Sequence, residues 1–134
     1  MKKIFLFLVI TFLFTACGDD CYNAPQTIAF KFVDSNDVNL ITNGALSTYS
    51  VQDENHVGIQ LTKTSEDMVI LENVGTYNGI KNYTFYSAIK IFNFSIHSSE
   101  FKGGCDGYQI NKLTFTGVGI DVTDENGYYK IVLQ

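Results

Sequence analysis

The sequence predicts an all-β domain, an antiparallel sandwich of about eight short strands. Three observations support this prediction. Phe, Tyr, Ile, Val and Thr, which favour a pleated and half-buried backbone, are abundant after the N-terminal segment. Apolar and polar residues alternate in short runs, and clusters of Asp, Asn and Gly separate these runs at intervals of about 8–12 residues. No run after residue 26 combines the apolar period of a helix with capping residues.

The first half of the domain predicts one strong strand and several weaker ones. Residues 27–33 form the strong one, because Ile28, Phe30 and Phe32 alternate with other residues and therefore share one face. The single proline, Pro25, precedes this strand, where its missing N–H removes no ladder bond. The other extended segments predicted here are residues 38–42, which end at the turn dipeptide Asn43-Gly44, and residues 46–52, 57–61 and 68–74.

The segment from residue 80 to 98 has the clearest alternation in the chain. Tyr83 and Phe85 form one alternating set, and Phe92, Phe94 and Ile96 form a second. Each set places its rings on one face of a strand, with polar residues on the other face. Two strands with buried aromatic faces are therefore predicted, preceded by a turn over residues 75–79.

The region after residue 98 predicts a loop and an irregular strand. The loop covers residues 99–107 and contains Cys105. In the following strand, residues 108–116, Ile110 and Leu113 fall on opposite faces. Either a β-bulge or a central strand buried on both faces would explain this pattern. Ile120 and Val122 then open a final hairpin.

The final hairpin carries a resemblance to a known fold. The run Thr123-Asp124-Glu125-Asn126-Gly127-Tyr128-Tyr129 resembles the Thr-Asp-x-x-Gly-x-aromatic hairpin of transthyretin-like sandwich domains of the carboxypeptidase-regulatory type. The resemblance covers seven residues and implies an immunoglobulin-like or transthyretin-like sandwich. Residues 128–133 are apolar almost to the end of the chain, so they are predicted to form a paired strand.

The N-terminal segment predicts export and lipidation. Lys2 and Lys3 precede an apolar run of residues 4–14, and small residues follow before Cys17, which is the order of a secretory signal. The run Phe14-Thr15-Ala16-Cys17 resembles the lipobox of bacterial lipoproteins, with Phe14 in place of the usual Leu. The resemblance implies that residues 1–16 are removed and that Cys17 carries palmitate-type acyl chains. The alternative is an ordinary signal peptide that leaves Cys17 a plain thiol.

Residues 17–26 then form a tether before a domain of residues 27–134. Gly18-Asp19-Asp20 resembles the acidic export signal that follows the lipidated cysteine in surface lipoproteins of Bacteroidota. As a whole the chain resembles the small β-rich lipoproteins of that lineage. The resemblance implies a protein anchored in the outer membrane and exposed at the cell surface. A position that faces the periplasm, with the acidic residues as a plain spacer, is the alternative.

The charge of the chain argues against nucleic-acid partners. The net charge is -5, and all nine basic residues are lysines. Loss of Lys2 and Lys3 with the signal would make it -7. Nucleic acid repels such a surface, and the absence of Arg removes the bidentate group that phosphate sites commonly use. No cofactor is expected. The predicted partners are the membrane, through the lipid, and a protein or glycan at the cell surface.

Two cysteines of the mature chain could form a disulfide. Cys21 and Cys105 would be exported to an oxidising compartment, where such pairs form. A bridge between them would close a loop of about 85 residues and contribute at most about 4–5 kcal/mol in the chain-entropy model. Two separate thiols are the alternative. Neither cysteine has a second ligand at metal-binding spacing, so no metal site is predicted at either one.

The sequence contains no recognisable catalytic motif, and a non-catalytic protein is expected. His56 and His97 are far apart and both are predicted to face solvent. The acidic segments 34–37 and 121–126 offer oxygen ligands for calcium but lack the spacing of known calcium loops. Asp and Asn are also common turn residues, and this explains both segments without a metal.

Three functions remain after these exclusions. The first is a binding or interaction module whose end loops, residues 75–79 and 99–107, would present Tyr77 and Tyr108 to a ligand. The second is a structural or assembly subunit that pairs through an edge strand. The third is a hydrolase inhibitor or a small enzyme. A protruding loop with a free Tyr ring would favour binding, whereas an unpaired strand with little charge would favour assembly.

Overall fold

The computed structural model describes residues 26–102 and 105–134. Within these ranges the chain forms nine β-strands and no helix. In chain order, the strands are β1 (Ile28–Val33), β2 (Tyr49–Asp53), β3 (Leu61–Lys63), β4 (Val69–Leu71), β5 (Gly79–Ser87), β6 (Ile91–Phe101), β7 (Gly107–Thr116), β8 (Ile120–Glu125) and β9 (Tyr128–Leu133).

The strands form two sheets packed face to face, which confirms the predicted all-β sandwich. Sheet A has five strands in the order β3-β4-β1-β9-β8, and sheet B has four in the order β2-β5-β6-β7. All neighbouring pairs are antiparallel except β1 and β9, which run parallel. This one pair departs from the antiparallel prediction. The first and last strands are joined by the rest of the domain, so no tight hairpin sets their direction.

The core is a cluster of aromatic rings contributed by both sheets. Phe30 and Phe32 of β1 are fully buried in sheet A. The Phe30 ring centroid lies 5.3 Å from that of Phe94, and the Phe32 centroid lies 4.7 Å from that of Phe85, across the sandwich. Each fully buried ring contributes about 1.5–3 kcal/mol relative to an exposed one. The alternation seen in the sequence therefore predicts the inward faces of β1, β5 and β6 correctly.

Three five-residue turns, at residues 34–38, 53–57 and 64–68, share one geometry. In each, the side-chain oxygen of the first residue accepts the backbone N–H of the third and fifth residues. In each, the fourth residue has a positive φ: 64° at Asp37, 61° at His56 and 53° at Asp67. Asp, Asn and His adopt this region more readily than other non-Gly residues. The predicted Asp-rich turns are thus built on side-chain acceptors.

Two predicted strands of the first half are wrong. Residues 38–42 form no strand and contribute only the isolated bridge between Val33 and Asn39. Oδ1 of Asn39 accepts the N–H groups of Ile41 and Thr42, and such local side-chain acceptors compete with strand pairing. Residues 57–61 contribute only the bridge between Gln52 and Gly58 and the first residue of β3.

The second half differs from the prediction at one loop. β6 continues to Phe101 and β7 begins at Gly107, so residues 99–101 and 107 of the predicted loop 99–107 belong to paired strands. The β6–β7 register shifts between His97 and Ser98, which confirms the bulge alternative. β7 is an edge strand rather than a central one. The final hairpin is confirmed, because Glu125 pairs with Tyr128 across Asn126-Gly127.

Candidate functional site

Two of the predicted site residues, Cys17 and Cys21, lie outside the described residues. Lipidation at Cys17 and the bridge from Cys21 therefore stay predictions. Cys105 is half-buried in the connection between β6 and β7. Within residues 26–102 and 105–134, no helix has the length and apolar character needed to cross a membrane.

The Tyr77 side chain packs and forms hydrogen bonds within the domain. Its ring is half-buried against the core. Its hydroxyl donates to the Ile96 carbonyl at 3.0 Å and accepts from the Tyr83 hydroxyl at 3.4 Å. Burial, followed by the hydrogen bond to Tyr77, raises the pKa of Tyr83 far above its ordinary value. These bonds occupy the Tyr77 hydroxyl, so the side chain contributes to the end of the sandwich instead of protruding.

Tyr108 lies near the start of β7, in agreement with the predicted strand 108–116. It belongs to β7, is half-buried and pairs with Glu100 of β6. Tyr77 contacts β6 at Ile96, four residues earlier, and four residues of a strand span about 13 Å. The two tyrosines therefore occupy separate positions along β6 and do not form one aromatic surface.

Three carboxylates of the acidic segments make internal bonds. Asp34 accepts two backbone N–H groups of its own turn. Asp37 lies 3.4 Å from Lys130, and Asp121 accepts the Gln134 side-chain amide at 2.9 Å. Among the described residues, no group of three or more His, Cys, Asp or Glu side chains is placed to hold a metal ion.

The histidines lie on different elements. His56 occupies the positive-φ position of the turn that follows β2, and His97 lies on the solvent face of β6. In the strand register, His97 faces Ile80 on one side and Lys112 on the other.

The four edge strands differ in how well they are protected from pairing with another chain. β3 has three residues and β2 has five, which is short for an edge. β8 has six residues, of which three are acidic: Asp121, Asp124 and Glu125. β7 has ten residues, of which Lys112 alone is charged. Among the described edges, β7 is therefore the longest and the one with the fewest charges for its length.

The flank between β7 and β8 exposes part of the core. Leu113 and Phe115 of β7 and Ile120 of β8 pack on the core but are only half-buried. The Phe115 ring centroid lies 5.4 Å from that of Tyr129 on β9. Because β7 is the last strand of sheet B and contacts β9, sheet B has no further strand to face β8. This flank therefore leaves part of the core half-covered.

A cavity of about 230 Å³ lies beside the β7 edge. It is lined by Ile110 and Leu113 of β7, by Ile28 of β1, and by Asp124 and Tyr128 of the final hairpin. Its lining is mixed, since it combines apolar side chains with Gln26, Thr27 and the Asp124 carboxylate. Gln26 also lines it, and the Gln26 side-chain oxygen accepts the backbone N–H of Ile110. The β7 edge and this cavity together form the candidate site, which we call the β7 flank.

Sequence reasoning did not find the β7 flank. The strand itself was predicted at residues 108–116, close to its observed bounds, but strand order decides which strand is an edge. The imperfect alternation of Ile110 and Leu113 was the available signal, and the bulge accounts for it. Comparison with protein-family models, with curated proteins and with solved structures finds no match to this chain.

Proposed function

We propose that the protein is a lipid-anchored, non-catalytic binding protein of the outer membrane that captures an extended segment of a partner protein at the β7 flank. The observation that carries this proposal is the length and low charge of β7 as an edge strand. An edge strand presents unpaired N–H and C=O groups in a row, and an extended peptide adds to it as a further strand.

The cavity beside β7 specifies the chemistry of the partner. A strand paired with β7 projects alternate side chains toward the flank, where Ile110 and Leu113 offer apolar contact and Asp124 offers a negative charge. A basic side chain with an apolar stem fits this combination. The partner segment is therefore expected to carry a Lys or Arg.

A second copy of this chain is the less favourable occupant. Each mature copy would carry a charge of about -7. Pairing of two β7 strands would bring the acidic β8 strands of both copies near each other, and like charges at short range oppose association. A structural or assembly role in a surface complex remains the alternative function, and it would use the same edge.

The lipid anchor would hold the β7 flank near the membrane. Cys17 is nine positions before Gln26, so an extended tether would span at most about 32 Å. We propose that the acidic tether directs the protein to the outer membrane and that the domain is displayed at the cell surface. The flank would then meet partners of the same envelope layer.

The proposed Cys21–Cys105 bridge would shorten this tether further. Cys21 is five positions before Gln26, and Cys105 is five positions before Ile110, to which Gln26 is hydrogen-bonded. Each cysteine is thus five positions away from a partner of the Gln26–Ile110 hydrogen bond, and this equal spacing supports the pairing. Mass analysis under non-reducing conditions should show one peptide that joins both cysteines. Alkylation of both thiols without reduction would contradict the bridge.

The partner proposal is tested by site-specific crosslinking in intact cells. A photoreactive residue at Thr114 of β7 should give one discrete adduct, and the same residue at Thr62 of the short edge β3 should give none. A synthetic peptide covering the crosslinked segment should then protect β7 amides from hydrogen exchange. Equal adducts at both edges, an adduct of two copies of this chain, or unprotected β7 amides would overturn the proposal.

Localisation is tested separately. Cys17→Ala should move the protein from the detergent phase to the aqueous phase, and protease added to whole cells should digest the wild-type domain. Retention of the variant in the detergent phase would contradict lipidation. Resistance in whole cells with digestion after outer-membrane permeabilisation would instead place the domain on the periplasmic side.

A further inference from the structure

The solvent face of sheet B contains a second candidate site, away from the β7 edge. Tyr83, Phe85, Phe92 and Phe94 point into the core, so the alternate residues of β5 and β6 point outward. A cavity of about 380 Å³ opens on this outward face. The outward residues that line it are Glu54, His56, Asn82, Thr84, Tyr86 and Asn93.

Two hydrogen bonds hold polar side chains of this cavity in place. The Asn82 side-chain amide donates to Glu54 Oε2 at 3.1 Å, and the Thr84 hydroxyl donates to Asn93 Oδ1 at 2.9 Å. In the described part of the chain, no partner accepts from Asn93 Nδ2 and none bonds to Glu54 Oε1 or to the Tyr86 hydroxyl. The cavity therefore offers a donor, an acceptor and a phenol on side chains held by the sheet.

A second cavity shares Tyr86 with the first. A neighbouring cavity of about 290 Å³ is lined by Tyr86 and also by Ser50, Ser87 and Ile91. Ile91 is opposite Tyr86 in the strand register and is 60% exposed. The two cavities thus share one aromatic ring, with hydroxyl and amide groups on one side of it and an apolar surface on the other.

We propose that these two cavities form one groove for a linear chain of neutral sugars that crosses Tyr86. A sugar ring has hydroxyl groups at its edge and an apolar face of C–H groups, so it matches polar side chains beside an aromatic ring. Shared lining by Tyr86 favours an oligosaccharide over a single ring. Small-ligand sites have volumes of about 300 Å³ or more, and the larger cavity reaches this range.

The charges of the groove exclude anionic sugars. Among the described residues that line the two cavities, the carboxylates are Asp53 and Glu54. Asp53 is paired with Lys81 at 2.9 Å, so Glu54 determines the charge that a ligand meets. A uronate or a phosphorylated sugar would be repelled, because like charges oppose binding.

This groove and the β7 flank are separate surfaces of sheet B. The groove is built on β2, β5 and β6, whereas the flank is built on β7 and the β8–β9 hairpin. The sugar inference therefore goes beyond the proposed capture of a partner strand. A variant of Tyr86 should leave peptide binding at β7 unchanged.

The test is calorimetric titration of the full chain in detergent with hexasaccharides. The neutral ligands are α-1,4-glucose, β-1,4-glucose and β-1,4-mannose chains, and the anionic one is hexagalacturonate. At least one neutral chain should bind, more tightly than its monosaccharide, and hexagalacturonate should not bind. Tyr86→Ala should weaken binding about tenfold, and Tyr86→Phe, which keeps the ring, should stay within about threefold of the wild type.

Tyr108→Ala provides the matched control, because Tyr108 is a half-buried tyrosine of the same sheet outside the groove. It should bind the sugar like the wild type. If Tyr86→Ala fails to fold, Asn93→Ala at an exposed position tests the same groove and should also weaken binding. The inference is overturned if no neutral chain binds, if hexagalacturonate binds as tightly as the neutral chains, or if folded Tyr86→Ala and Asn93→Ala bind like the wild type.

Discussion

Lys81 Nζ lies 2.9 Å from Oδ2 of Asp53, and the Asp53 side chain is almost fully buried. The other carboxylate oxygen accepts the N–H groups of Asn55 and Val57. The hydrogen bond from Lys81, followed by that from Val57, lowers the pKa of Asp53 below its ordinary value of 3.8. One carboxylate thus joins the turn after β2 to strand β5.

This pair predicts a loss of stability in acid. Above the ordinary value of 3.8, Asp53 is ionised in both the folded and the unfolded chain, and its contribution is fully present. As the pH falls below 3.8, the unfolded chain takes up the proton first, and stability is lost as the pH passes through the lower folded pKa. Asp53→Asn keeps the side-chain oxygen that accepts the turn N–H groups but has no acidic proton. It should therefore make the free energy of unfolding less dependent on pH below 3.8. Lys81→Met should raise the folded pKa toward 3.8, so the acid loss should be smaller and should end at a higher pH.

Urea unfolding between pH 2 and pH 7 measures the effect. The free energy of unfolding of the wild type, Asp53→Asn and Lys81→Met should be compared at each pH. Three curves of the same shape would show that the pair contributes nothing to the pH dependence.

Ala variants of two glycines with the same φ can distinguish backbone strain from steric crowding. Gly75 has φ of 80° and Gly44 has φ of 79°. A Cβ at Gly75 would lie 2.6 Å from Ile110 Cγ1, whereas a Cβ at Gly44 would have nothing within 4 Å. Gly44→Ala should cost about 1–2 kcal/mol from the left-handed conformation alone. Gly75→Ala should cost about 1–3 kcal/mol more, because it also overpacks the end of the core. Equal losses in denaturant unfolding would contradict the predicted contact.

Replacement of Ser98 by Ala is not expected to lower the stability of the domain. It is fully buried, and its Oγ has no hydrogen-bond partner among the described residues. Such a group costs about 1–3 kcal/mol in lost hydration, so Ser98→Ala should leave stability unchanged or raise it by about 1 kcal/mol. Ser87→Ala is the matched control. Ser87 Oγ donates to the Lys90 carbonyl at 2.8 Å, and its loss should lower stability by about 1 kcal/mol. Thermal unfolding of both variants distinguishes these outcomes.

Tyr77→Phe tests whether that side chain is structural. The change removes the donor to the Ile96 carbonyl and the acceptor for the buried Tyr83 hydroxyl, and should lower the free energy of unfolding by about 1–3 kcal/mol. Tyr108→Phe removes a hydroxyl for which the described residues provide no hydrogen bond, so it should change stability by less than about 0.5 kcal/mol. Equal stability of Tyr77→Phe and the wild type would show that the Tyr77 hydroxyl is available to a ligand.

Phe30→Ala should be among the most destabilising single changes in β1. Phe30 is fully buried and contacts Phe94 and Phe115 across the sandwich, with ring centroids 5.3 Å and 5.7 Å away. Loss of such a ring costs about 3–5 kcal/mol, and this could leave the chain unfolded at 37 °C. Phe30→Leu should lower the free energy of unfolding by less, so it should remain folded and its stability can be measured. Ile80→Ala, at a position 65% exposed, should stay near the wild type in the same urea titration.

Sequence patterns predicted the inward faces of the domain better than its connections. Alternation identifies Phe30, Phe85 and Phe94 as core residues because burial of one strand face is a local property with a period of two. The turn at residues 34–37 was also predicted, because Asp and Asn bond their own backbone. The segments 38–42 and 57–61 were predicted as strands. In the first of them, Oδ1 of Asn39 accepts the N–H groups of Ile41 and Thr42, and this local turn takes the place of the strand.

The candidate site was less accessible to sequence reasoning. Tyr77 was expected in the loop 75–79 and Tyr108 at the start of the strand 108–116, with both rings available to a ligand. The Tyr83 hydroxyl donates to that of Tyr77, and Tyr108 is half-buried opposite Glu100 of β6. Contacts between residues that are distant in the chain determine both outcomes, so no local pattern contains them.

The sequence alone determined that this chain forms an all-β domain, that Phe30 and its alternate neighbours face the core, and that a hairpin turns within residues 124–127, since each depends on residues close together in the chain. It also provides the prediction of lipidation at Cys17. Only the tertiary structure decided that β1 and β9 lie side by side, that β7 is an edge, and that Tyr86 and Asn93 line one groove. Strand order arises from the packing of two whole sheets, and burial of the shared core settles it, so no single segment contains that information.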